Sequence, residues 1–147
     1  MEPVIVFPDG QLAVRDLLRS LLAGRSESYA RGAVVSTRAL PGADESRRLP
    51  YVQVRSDGKF RNSRLDGRAT IRVLAYGAHN GNPDEGASES LASLCEGLLL
   101  AASSGDVRGS SPVAGPLITK DPDNGLPLAF FTITARLRPL QLESKGA

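Results

Sequence analysis

One cysteine, one histidine and no tryptophan remove most site chemistry from consideration at the outset. A lone Cys95 cannot close an internal disulfide, and one Cys with one His cannot build a structural zinc site. Aromatic residues are only 5% of the chain, which leaves few rings for stacking on nucleic-acid bases. No apolar run approaches the roughly 20 residues that a membrane-spanning helix needs, so no membrane partner is expected. The first ten residues have neither a cationic start nor an apolar core of signal-peptide length. The expected setting is a cytoplasm, or a particle assembled in one.

What is present is an ordinary globular composition. Of 147 residues, 41% are hydrophobic and 23% charged, enough for one modest core and too apolar for global disorder. The expected organisation is a single domain over residues 1–139 and a loose polar tail over 140–147. Net charge is only +2, but it is uneven. Residues 31–72 hold ten Arg or Lys against four Asp or Glu. Such an excess suits nucleic acid, an acidic protein face, or a solvated edge that resists aggregation.

Periodicity supplies the elements. Residues 2–7 are extended between Pro3 and Pro8. Asp9 is placed to cap a helix reaching Ala23, with Val14, Leu17, Leu18, Leu21 and Leu22 as its buried stripe and Gly24 as its stop. A first strand is expected over residues 30–39, and the breaker-rich stretch 41–48 as a loop. A second strand begins at Tyr51-Val-Gln-Val54, and 57–66 follow as a long basic connection. In the strand from Ala69 to Tyr76, Ala69, Ile71, Val73 and Ala75 share one face. A second helix is expected to open at an Asn82 cap, with Pro83 in its first position and Asp84 and Glu85 at the positive end of the dipole. Its stripe reads Ala87, Leu91, Leu94, Cys95, Leu98 and Ala102, with Gly105 ending it. Residues 105–111 look like a flexible connection, 113–120 like a strand, 121–125 like a turn, and 128–138 like a last strand with Phe131, Ile133, Ala135 and Leu137 inward. A sheet with one apolar and one wetter face is antiparallel in habit. The order predicts an α+β fold: a two-layer sandwich, a mainly antiparallel sheet with two amphipathic helices packed on one face.

Few residues of the chain are placed for chemistry. His79 sits in a Gly-Ala-His-Asn-Gly turn without the partnered nucleophile or acid that catalysis requires. Cys95 falls on the helix stripe and reads as a small buried hydrophobe. Asp121, Asp123 and Asn124 lack the spaced ligands and closing Glu of a calcium loop, so a turn is favoured. The glycines of 105–111 follow a helix and lack the Gly-Lys-Ser/Thr ending that cradles phosphate. No catalytic, metal or cofactor residue is expected. The candidate interface is the basic connection, with Lys59, Phe60, Arg61, Arg64 and Arg68. Long polar connections on a small sheet commonly make contacts.

From about Pro8 to Pro139 the layout resembles the tail terminator family of long-tailed bacteriophages, in the form found in siphophages of actinobacteria. The resemblance rests on the helix after Pro8-Asp-Gly10, on Leu49-Pro-Tyr-Val-Gln-Val54, and on the strand 69–76. It continues through the helix opening at 82–89, Val113-Ala-Gly-Pro116, Asp121, and the closing strand 130–138 before Pro139. It implies a non-enzymatic virion protein that forms a homo-oligomeric ring, typically a hexamer, on the head-proximal end of the tail tube. Such a ring ends tube polymerisation and meets the head–tail connector, with DNA passing through its lumen without specific binding. The implied partners are further copies of the chain, the tail tube protein and the connector or head-closure protein. Two alternatives stand beside it: another neck component such as a head-closure or adaptor protein, and a small nucleic-acid-binding protein using the basic middle.

Overall fold

A computed structural model describes residues 2–40 and 48–142. In chain order the elements are β1 (Val4–Val6), α1 (Gly10–Leu22), β2 (Val34–Ser36), β3 (Tyr51–Ser63), β4 (Asp66–Tyr76), β5 (Ala78–His79), β6 (Asn82–Pro83), α2 (Glu85–Ala101), β7 (Val107–Lys120), β8 (Pro127–Leu137) and β9 (Leu140–Leu142). Five strands form the main sheet in the order β2-β3-β4-β8-β7. Only the β2–β3 pair is parallel. Both helices pack on the sheet face that carries Val52, Val54, Ile71, Val73, Phe131, Ile133 and Ala135, all buried. The architecture is the expected α+β sandwich.

Helix α1 follows its sequence signals closely. Asp9 is extended and its carboxylate accepts the amide of Leu12, while Ala23 closes the far end and Gly24 turns the chain at φ +74°. Val14, Leu17, Leu18 and Leu22 are buried, and Leu21 packs at their margin. The α1 layer also completes the sheet edge. Strand β2 pairs only with Tyr51–Gln53, and where it stops, Gln11 Nε2 donates to Val54 O at 3.0 Å. Arg19 Nη2 donates to Val35 O at 2.7 Å. These side chains satisfy carbonyls that would otherwise be orphaned near the core.

Helix α2 starts two residues later than its sequence suggests. Asn82 and Pro83 pair with Ala78 and His79 in a small hairpin, and Asp84 is the cap, its carboxylate accepting Ala87 N at 2.8 Å. The helix ends at Ala101, before Gly105. Its buried face is Ser88, Leu91, Ala92, Cys95 and Leu99, with Leu94, Leu98 and Ala102 only partly buried beside it. The stripe is therefore rotated from the expected one. Ser88 explains part of the rotation. Its hydroxyl accepts Gly77 N at 2.8 Å and donates to Asp84 O at 2.8 Å, locking the end of β4 to the helix start.

Four further expectations change. The first strand covers Val34–Ser36 alone, because residues 27–33 close turns in which Ala30 and Arg31 both donate to Glu27 O. The connection 57–66 is not a loop but the outer half of a long hairpin. Strand β7 begins at Val107, so most of the presumed flexible connection is sheet. Leu140–Leu142, placed in a loose tail by the sequence, pairs antiparallel with Val4–Val6. The expected loop at 41–47 and tail positions 143–147 lie outside the described residues.

Candidate functional site

The β3–β4 hairpin runs in register from Tyr51↔Tyr76 to Ser63↔Asp66, with irregularities between Ser56 and Gly58 and between Arg61 and Ser63. Its inner half, Tyr51–Val54, is buried, whereas every residue from 55 to 65 is exposed. The cause is the short reach of β2: beyond Gln53 the outer side of β3 has no strand neighbour. A free, bulged, charged edge is what a protein uses to block unwanted strand pairing. This one also exposes two large apolar side chains, Phe60 at 46% and Leu65 at 50%, which solvation alone does not call for.

The five candidate residues separate into three groups. Lys59 and Phe60 face outward, and Lys59 has no ion pair among the described residues. Arg61 and Arg64 turn back onto the N-terminal segment. Arg61 Nη2 donates to Ile5 O at 3.1 Å with its guanidinium 4.9 Å above the Phe7 ring, and Arg64 Nη2 donates to Pro3 O at 3.1 Å. Arg64 Nε also stands 3.4 Å from the Glu2 carboxylate. Arg68 forms two 3.1 Å hydrogen bonds to Asp66, and its guanidinium holds that carboxyl below the ordinary range. The Phe7 side chain lies against Gly67, and a groove of about 420 Å³ opens beside it among Val6, Lys59, Phe60 and Arg68.

The opposite edge is β7. It has three register irregularities against β8 and contains Pro112 and Pro116, which an edge strand or a bulge tolerates because proline donates nothing to a ladder. Val113, Leu117 and Ile118 are exposed at 57%, 53% and 42%. The sheet therefore has two unlike free edges, each with an apolar component.

The face away from the helices is the part that sequence reasoning missed. Arg55↔Arg72 and Arg68↔Arg136 are cross-strand partners, so four arginines share that face. Arg72 Nε lies 3.0 Å from Asp57 Oδ2, an ion pair whose geometry falls short of a hydrogen bond, and its guanidinium stands 5.7 Å from the Phe130 ring. The alternation of 69–76 and 130–138 showed each strand's polar side, but not that β4 and β8 are neighbours.

Groups capable of catalysis are scattered. His79 is exposed at the end of β5, paired with Asn82. Cys95 is fully buried, and burial pushes its thiol up to about 12. Among the described residues no three His, Cys, Asp or Glu side chains gather as metal ligands, and no helix is long and apolar enough to cross a membrane. Asp121 belongs to a turn: it accepts Tyr76 Oη at 2.7 Å, Asp123 N at 2.8 Å and Asn124 Nδ2 at 3.2 Å. Neither a protein-family model nor a curated protein matches the chain.

Proposed function

We propose that this protein is a structural component of a phage tail, a ring at the head-proximal end of the tail tube that ends tube polymerisation and receives the head. The observation that carries the reading is the pair of unlike free sheet edges. One is the outer half of β3 with Lys59, Phe60 and Leu65, and the other is β7 with Val113, Leu117 and Ile118. A ring of this kind must meet two different neighbours along its axis, tube on one side and connector on the other. Two chemically distinct edges on one small domain supply two such surfaces. Exposed apolar clusters rimmed by charge are characteristic of contact sites.

The nucleic-acid alternative gains the four arginines of the open face, but Phe60, opposite Arg68, is the one large exposed ring beside them among the described residues, where single-stranded binding stacks successive bases on several. Phe130 on that face is half-buried with the Arg72 guanidinium near its ring. Labelling the protein and imaging tails tests the reading. Label at the head-proximal end of each tail is the expected result, and label absent from tails refutes it.

A further inference from the structure

The sheet face away from the helices is covered at one end, where Leu40 and Leu49 pack with Tyr51, Tyr76 and Leu128. Its open end and helix α2 are complementary in charge, and they lie on opposite sides of the sandwich. On the sheet face stand Arg55, Arg68, Arg72 and Arg136; Asp57 and Asp66 form ion pairs with Arg72 and Arg68, and the Asp66 carboxylate also feels the charge of Arg136. Arg55 and Arg136 form no ion pair among the described residues. Arg136 rests over Gly109, where an added Cβ would come within 2.7 Å of its Nη2. That packing holds the guanidinium against the sheet. Leu117 pairs with Phe130 on the same face and is 53% exposed.

Helix α2 is built differently from α1. It contains Glu85, Glu89 and Glu96 and no Lys or Arg, whereas α1 mixes Arg15 and Arg19 with Asp16. At 3.6 residues per turn the three glutamates fall within about 40° of one another around the axis. Leu100, 36% exposed, lies beside them. The neighbouring outward positions Gly86, Ser90, Ser93 and Gly97 are small and exposed, so another surface can approach the backbone closely.

We infer that copies of this chain associate head to tail, the arginine face of one copy seated on the acidic flank of α2 of the next. This rests on the ring reading above and names its subunit contact. The contact is heterologous, one patch against a different patch, the type that closes into a ring when its rotation allows. It also runs across the layers of the sandwich, at right angles to the edge-to-edge direction. Lys59 and Leu65 at the β3 edge and Val113 and Ile118 at the β7 edge then stay free for axial partners, while Phe60, opposite Arg68, and Leu117 border the subunit contact.

Charge reversal in pairs tests it by sedimentation. R55E/R136E and E89K/E96K should each remain folded, with unchanged far-ultraviolet circular dichroism, and each should raise the concentration for half-assembly by about tenfold or more. The equimolar mixture should assemble again, with the two variants alternating around the ring, because the altered face of one meets the altered helix of the other and the two unaltered patches meet at the next contact. Higher ionic strength should weaken the wild-type contact. A wild type that assembles with both variants unimpaired overturns this contact and leaves the ring reading standing. Impaired variants that do not complement each other overturn it as well. A wild type that stays monomeric at every concentration and on tails overturns both.

Discussion

The ring of Phe7 fills the volume above Gly67: a Cβ added to that glycine would stand 2.5 Å from Phe7 Cγ. Arg61 closes the other side, stacked on Phe7 and bonded to Ile5 O. The N-terminal segment is thus held on the hairpin, and through the β1–β9 pair it holds Leu140–Leu142. Gly67→Ala should expel Phe7 and loosen both terminal strands at a cost of about 1–3 kcal/mol, the usual range for overpacking. Denaturant unfolding and amide exchange at Val4–Val6 measure this. Unchanged stability with unchanged protection there contradicts it.

Helix α2 offers a sharper test of packing. Leu91 and Leu99 are fully buried, while Leu94, on the stripe that periodicity suggests, is only partly covered. Leu91→Ala should cost about 2–5 kcal/mol through lost burial and the cavity it leaves. Leu94→Ala should cost less than half as much. Equal costs in equilibrium unfolding show that the helix is rotated from the position described.

The Tyr76–Asp121 pair makes a pH prediction. Burial tends to raise the Asp121 carboxyl, but hydrogen bonds from Tyr76, Asp123 and Asn124 outweigh it and hold the group below its ordinary value. Burial, with Asp121 behind it, pushes the Tyr76 hydroxyl upward. A carboxyl lowered by folding stabilises above its unfolded value of about 3.9 and loses that contribution as pH falls through the folded value. The raised tyrosine contributes below about pH 10 and loses its contribution at higher pH. Asp121 is near solvent, so its share is under about 1 kcal/mol. In a carbon-detected titration Asp121 should have its midpoint below 3.9, and Tyr76→Phe should move it upward. A midpoint at or above the ordinary value contradicts the pairing.

Where burial follows a regular period, the sequence was legible. Asp9 and the α1 stripe, the alternation of β4 and the inward Phe131, Ile133, Ala135 and Leu137 all lie where their spacing puts them. Legibility failed where strands carry no apolar rhythm. The outer half of β3 is exposed on both sides, so no alternation marks it. Its order comes from the backbone ladder to β4 and from arginines reaching the N-terminal segment. The early part of β7 contains Gly109, Ser110, Ser111 and Pro112, which signal a loop locally and are tolerated at a sheet edge. The β1–β9 pairing joins the two ends of the described chain, a contact that no local window contains. For the candidate site, the basic stretch was visible, but its division was not. Only the fold shows Arg61 and Arg64 turned inward while Arg72 and Arg136, from distant strands, share the open face.

Images of the purified protein at high concentration and low ionic strength test the central claim most directly. The account predicts rings of uniform subunit number with a central hole, which add to tail tubes at one end. It also predicts that replacing Lys59 and Leu65 by Glu and Ser leaves the rings intact while tails fail to stop growing or fail to join heads. Isolated monomers under all conditions, together with normal, length-controlled, head-joined tails from that double variant, would contradict it.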